Sequence, residues 1–89
     1  MPAPDRHEFH VESDPDVDVL MRILGLFAVQ DAVPASLRHE QAGDGAWTVL
    51  EVAGLTPERA ELVRLRLLQT PCVRDARLAS PLALVAAAK

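Results

Sequence analysis

The longest helical pattern of apolar residues runs from Asp16 to Gln30 and predicts an amphipathic helix. Its apolar stripe contains Leu20, Ile23, Leu24 and Phe27, widened by Val17, Met21 and Ala28. Asp18 and Arg22 lie roughly opposite this stripe. Asp14 and Asp16 precede or begin the first turn, where carboxylates accept hydrogen bonds from free N–H groups. We therefore expect one face of this helix to be buried.

Four shorter stretches predict β-strands, at residues 6–12, 33–38, 46–53 and 73–79. Pro34 favours an edge position for the second strand, because proline has no N–H to pair. Gly43-Asp44-Gly45 predicts a turn that joins the second and third strands into an antiparallel hairpin. The fourth stretch changes phase between Val73 and Ala76, which indicates a bulge.

A second helix is predicted from Pro57 to Gln69, with Thr56 as its N-cap. Its core stripe contains Ala60, Val63 and Leu67, and a partly exposed flank contains Leu62, Leu65 and Leu68. The element order predicts an α+β fold of the ferredoxin-like βαββαβ type. In this fold a four-stranded antiparallel sheet carries two helices on one face.

The 89 residues suffice for a single domain, 1–89, with a core at about 6–79. Residues 80–89 form a C-terminal tail that is either a short helix or an added strand. Hydrophobic residues make up 49% and charged residues 25% of the chain, which is typical of a globular protein at the apolar end of the range. Part of that apolar surface is expected to form a homodimer interface.

Charge and segment lengths exclude several classes of partner. The net charge of −4 argues against nucleic acid, whose phosphates require an excess of Lys and Arg. The longest apolar run, 82–88, is too short to span a membrane. A single cysteine and an N-terminal stretch without a signal sequence predict a cytoplasmic protein.

No residue pattern predicts a metal, a cofactor or a catalytic group. Asp14, Asp16 and Asp18 have the spacing of a calcium loop, but the glycine and glutamate that complete such a loop are missing. We expect surface or boundary positions for the histidines, which are His7, His10 and His39. Cys72 follows a helix C-terminus, which disfavours a thiolate, and we expect it to be buried. Acidic residues interleave with the arginines of the second half, which are Arg59, Arg64, Arg66, Arg74 and Arg77.

Trp47 and Val49 are the candidate interface residues. Alternation in the third strand places both on the sheet face that the helices leave open. Exposed apolar area of this kind usually marks a contact surface. The alternative is that the tail from Leu82 folds back to cover Trp47.

The segment from Asp18 to Phe27, DVLMRILGLF, followed by VPASL at 33–37, resembles the ACT domain. It is most similar to the version in acetolactate synthase regulatory subunits. Residues 54–78 resemble the second half of such domains, so the resemblance covers about residues 7–79. It implies a dimeric βαββαβ module that, in many members, binds an amino acid where the first loop meets a neighbouring chain. By that resemblance the ligand-binding positions are Asp18, Val19 and Leu20.

This chain departs from the ACT pattern at Val17-Asp18, where the family usually has Pro-Gly. The glycine lets the backbone approach a ligand, whereas Asp18 adds a Cβ atom and a negative charge that repels a carboxylate. Ala32 and Pro34 likewise replace a glycine and an asparagine before the second strand.

The leading hypothesis is a non-catalytic ACT-like regulatory or sensor module that acts as a homodimer and binds an amino acid or similar metabolite at the interface. A second hypothesis keeps the dimer without a ligand, as a homodimerisation or protein-interaction module for a partner enzyme. The third is a small acylphosphatase-like enzyme. That activity needs a phosphate-binding loop with an arginine after strand one, where this chain has the acidic sequence ESDPDVD at 12–18.

Overall fold

The computed structural model describes residues 6–79. Its six elements are β1 (His7–Ser13), α1 (Val17–Val29), β2 (Pro34–Ala42), β3 (Gly45–Val52), α2 (Pro57–Leu68) and β4 (Val73–Ala79). This βαββαβ order confirms the predicted ferredoxin-like fold. The predicted tail at 80–89, with its suggested cover for Trp47, lies outside the described residues. Within residues 6–79, neither helix has the length and apolar character needed to cross a membrane.

The four strands form one antiparallel sheet in the order β2-β3-β1-β4. β2 is therefore an edge strand, as Pro34 predicted. In the centre of the sheet Phe9 lies opposite both Leu50 and Leu78. The pairing of β1 with β4 shifts register between Glu12 and Ser13, which confirms the predicted irregularity at the start of β4. Both predicted helix starts are also confirmed.

The core lies between the helices and one face of the sheet. Alternate residues of the two central strands are buried there: His7, Phe9, Val11, Ser13, Ala46, Thr48, Leu50 and Val52. Helix α2 buries Ala60, Val63 and Leu67, as predicted. Phe9 and Phe27 join sheet to helix, with ring centroids 4.9 Å apart and an interplanar angle of 80°. This edge-to-face arrangement suits the charge distribution of two aromatic rings.

Helix α1 is rotated relative to the stripe that the sequence predicted. Its buried residues are Val19, Ile23 and Phe27, with Leu20 and Leu24 half-buried. The apolar pattern predicts that Val17, Met21 and Ala28 widen the buried stripe, but all three are exposed. The apolar stripe is wider than the surface that a helix can bury against one sheet. Periodicity alone does not show which part of such a stripe meets the sheet.

Strand β2 extends to Ala42, whereas the sequence pattern ended it at Arg38. No residue of β2 is fully buried, so burial does not extend the strand. Its backbone pairs with β3, for example His39 with Thr48 and Gln41 with Ala46. Hydrogen bonding across the hairpin therefore maintains a strand that has no alternating apolar signal.

Candidate functional site

Arg74, near the start of β4, forms hydrogen bonds to two connecting segments at one end of the sheet. Its Nε and Nη2 atoms donate to Oδ1 of Asp14 in the β1–α1 loop, at 2.9 and 2.7 Å. Nη2 also donates to the backbone oxygen of Asp44 in the β2–β3 turn, at 2.7 Å. A Cβ atom at Gly45 would lie 3.0 Å from Nη1 of Arg74, so glycine gives the guanidinium room at this position. We call this group of residues the Arg74 junction.

Electrostatics at the Arg74 junction keep Asp14 ionised and Cys72 protonated. The hydrogen bond from Arg74, and a second from Cys72, lower the pKa of Asp14 below its ordinary value. The same contact with Asp14, together with partial desolvation, raises the pKa of the Cys72 thiol. A protonated thiol is a poor nucleophile. The junction is therefore suited to holding loops together and not to covalent catalysis.

Cys72 is exposed, which contradicts the prediction that it is buried. Its φ angle is +71°, a left-handed conformation that turns the chain sharply between α2 and β4. This turn places the residue at the surface. The packing of the loop decides its exposure, and small apolar character alone did not reveal it. His7 also differs from the expected boundary position, because it is buried and its Nε2 lies 3.0 Å from the backbone oxygen of Leu55.

The three predicted ligand-binding residues do not share one surface. Asp18 is exposed, Leu20 is half-buried, and Val19 is only 2% exposed because it belongs to the core. The N–H of Asp18 donates to the Asp16 carboxylate at 2.9 Å. The N–H groups of Val19 and Leu20 donate to the backbone oxygen of Asp16 at 3.1 and 3.3 Å. These backbone donors are thus satisfied within the chain, and the exposed chemistry at this helix start is carboxylate.

Trp47 and Val49, the predicted interface residues, lie on the open face of the sheet. Trp47 is 45% exposed and stands between Glu12 on β1 and Glu40 on β2. Val49 is half-buried. The two side chains form an apolar centre surrounded by charged residues. The sequence-based assignment of both residues to this face agrees with the strand register.

The described residues contain no group of three or more His, Cys, Asp and Glu side chains that could hold a metal ion. His10 lies 2.6 Å from Glu8, and His39 lies 2.8 Å from the hydroxyl of Thr48. Several arginines of the second half form local ion pairs with nearby acids, including Arg64 with Glu61 and Arg77 with Asp75. The Arg74 junction was not predicted, because Asp14 and Arg74 are sixty positions apart and show no common sequence pattern.

Comparison with known families identifies the fold. A family model described as the ACT-like domain matches residues 3–84. The chain belongs to the ACT-like domain family. Domains of the ACT type are typically regulatory. The sequence resemblance to the ACT domain is thereby confirmed at the level of the family.

Solved structures resemble this ACT-like chain at low sequence identity. The C-terminal domain of the MgtC protein from Mycobacterium tuberculosis has a TM-score of 0.71 and 19% identity, over 84% of this chain and 85% of that chain. The crystallised ACT domain from GTP pyrophosphokinase of Chlorobium tepidum has a TM-score of 0.72 and 8% identity, over 83% of this chain and 96% of that chain. At such identities the likeness shows the fold alone. A search of curated proteins found no match.

Proposed function

We propose that this chain is a non-catalytic regulatory module that acts as a homodimer and binds an amino acid or similar small metabolite at the start of α1. Membership of the ACT-like family is the observation that carries this proposal. The resemblance of residues 18–27 to acetolactate synthase regulatory subunits supports an amino acid as the ligand. A partner enzyme in the cytoplasm would be the target of such regulation.

Exposed apolar side chains support the homodimer. The described residues expose nine large hydrophobic side chains: Val17, Met21, Val29, Val33, Leu37, Trp47, Leu62, Leu65 and Leu68. Single exposed hydrophobic residues are ordinary, but clusters on helix and sheet faces are typical of contact surfaces. A second copy would remove part of this area from water and stabilise a small domain.

The start of α1 determines which end of an amino acid we expect it to bind. Its N–H groups at residues 18–20 donate within the chain, so they are not free to hold a ligand carboxylate. Asp18 instead offers an exposed carboxylate. Opposite charges attract across such a site. We therefore expect the ammonium group of the ligand to face Asp18, and its side chain to contact Leu20.

The second candidate is a ligand-free homodimerisation or protein-interaction module, and one observation favours it. The helix start is already capped by Asp16, and Val19 is buried, so this region resembles a completed helix terminus. An acylphosphatase-like enzyme is less consistent with the site. The loop after β1 contains Asp14 and Asp16, which would repel a phosphate group.

A thermal-shift screen of the purified protein against the proteinogenic amino acids tests the ligand. A ligand present at 100 times its Kd stabilises the folded state by about 2.7 kcal/mol, a shift of several degrees in Tm. We expect one amino acid to give a saturable shift and Asp18→Asn to abolish it. Asp31→Asn is the matched control, because Asp31 is exposed beyond the other end of α1. The absence of any shift, with a dimer confirmed by light scattering, would favour the ligand-free module.

A further inference from the structure

The open face of the sheet carries a charge pattern that repeats across its strands. The strand register aligns Arg38, Val49, His10 and Arg77 in one row, which we call the basic row. It aligns Glu40, Trp47, Glu12 and Asp75 in the neighbouring row, which we call the acidic row. Three strands therefore each carry a basic residue and an acidic residue two positions apart. The remaining strand, β3, carries an apolar residue in both rows.

We infer that two copies of this chain pair face to face through these rows, about a two-fold axis that lies between the rows and crosses the strands. Such a rotation places the basic row of each copy on the acidic row of the other. Arg38 then meets Glu40 of the second copy, and Arg77 meets Asp75 of the second copy. Trp47 packs on Val49 of the second copy. This self-complementarity identifies a second copy as the occupant of the face.

The side chains that each strand contributes suit the distance of that strand from the centre of the interface. Facing sheets pack about 10 Å apart and cross at about 30°, so registration is best in the middle and worsens toward the edges. The middle strands provide Trp47, the largest apolar side chain of the face, and His10. The edge strands provide Arg38 and Arg77, whose long side chains can follow a displaced partner. An apolar centre with a charged rim is the usual anatomy of an interface.

Existing contacts on the face are compatible with this pairing. Arg77 already lies 3.0 Å from Asp75 of its own strand, and both side chains remain partly exposed. In the dimer, the Arg77–Asp75 pair of one copy lies antiparallel to the same pair of the second copy. The four side chains then form a cluster in which positive and negative charges alternate. His10 similarly contacts Glu8 at 2.6 Å and leaves Glu12 to face the second copy.

The size of the face sets the expected strength. Four strands at about 4.8 Å spacing and seven residues at about 3.4 Å rise give roughly 450 Å² per copy. Stable interfaces commonly bury about 800 Å² per partner, which is more than this face offers. We therefore expect a weak dimer, with a Kd on the order of tens of micromolar. The inference rests on the proposed homodimer and assigns its surface to the open face of the sheet. The ligand positions Asp18 and Leu20 lie on α1, on the helix side of the sheet, and so outside this contact.

Two variants with opposite charge test the pairing. The first, Arg38→Glu with Arg77→Glu, makes both rows acidic. The second, Glu40→Arg with Asp75→Arg, makes the residues of the edge strands β2 and β4 basic in both rows. All four side chains are partly or fully exposed, so both variants should retain the circular dichroism of the wild type. Sedimentation velocity from about 5 to 500 µM measures association, and the emission of Trp47, the single tryptophan, reports its burial.

We expect the wild type to dimerise with a blue shift of Trp47 emission, each variant alone to stay monomeric, and an equimolar mixture of the two variants to regain the dimer and the blue shift. Arg59→Glu with Arg66→Glu is the matched control, because both arginines are exposed on α2, on the other side of the sheet, and this variant should dimerise normally. Variants that both remain dimeric would overturn this interface and leave the proposed homodimer standing. A wild type that is monomeric at 500 µM would overturn both, and a mixture that fails to associate would overturn the two-fold register.

Discussion

Gly25 lies on the exposed side of α1, and a Cβ atom built on it would have no heavy atom within 4 Å. Glycine in a helix costs about 1 kcal/mol relative to alanine, chiefly because the unfolded chain loses more freedom on folding. We expect Gly25→Ala to raise the free energy of unfolding by about 0.5–1 kcal/mol, and Tm by a few degrees. Urea unfolding followed by circular dichroism measures the change.

Ala28→Gly is the matched control for this substitution, because Ala28 is exposed on the same helix. It should lower the free energy of unfolding by about the same amount, 0.5–1 kcal/mol. A Gly25→Ala protein that is less stable than the wild type would contradict the open space that the structure places beside Gly25.

Other single residues show how far sequence reasoning reaches at this scale. The caps at Asp16 and Thr56 were predicted, because a cap is a local contact between residues two or three positions apart. The exposure of Cys72 and the burial of His7 were not predicted. Each depends on where a neighbouring segment lies, and the sequence near the residue does not contain that information.

At the scale of elements, the Arg74 junction predicts a specific pH dependence. Arg74 lowers the pKa of Asp14 in the folded protein, so the ionised carboxylate stabilises the fold above the ordinary Asp pKa of about 4. This contribution is lost as the pH falls through the lower, folded-state pKa. We expect Arg74→Met to lower Tm at pH 7. The difference from wild type should shrink as the pH falls below about 4.

Thermal melts of both proteins between pH 7 and pH 2 measure this difference. Arg22→Met serves as the control, because Arg22 is exposed on α1 and its loss should change Tm little at any pH. A difference between Arg74→Met and wild type that stayed constant down to pH 2 would show that Asp14 is not the partner through which Arg74 acts.

The positions of the elements were predicted more accurately than their packing. The bounds of β4 agree with the prediction, and those of α1 and α2 agree to within one residue at either end. The predicted buried face of α1 was wrong, because the apolar stripe of this helix is wider than one helix–sheet contact. β2 was predicted too short, because pairing with β3, and not burial, maintains residues 39–42 in extended form.

In the whole molecule, one core joins both helices to three of the four strands. Buried residues from both helices and from β1, β3 and β4 form a single cluster. We therefore expect one cooperative unfolding transition for the chain at low micromolar concentration. Trp47 reports from the open face, whereas circular dichroism at 222 nm follows the helices on the opposite face. Their urea curves should coincide, with an m-value of about 1 kcal/mol/M, and separate midpoints would contradict a single cooperative unit.

The element order, the fold class, the helix starts and the sheet face of Trp47 could all be predicted from the sequence alone. These features follow from periodicity and from contacts between near neighbours, which a linear sequence displays directly. Three other features depend on how the elements pack: the rotation of α1, the junction between Asp14 and Arg74, and the basic and acidic rows of the open face. These features arise from strand register and packing, which bring together residues far apart in the chain, so no local pattern encodes them.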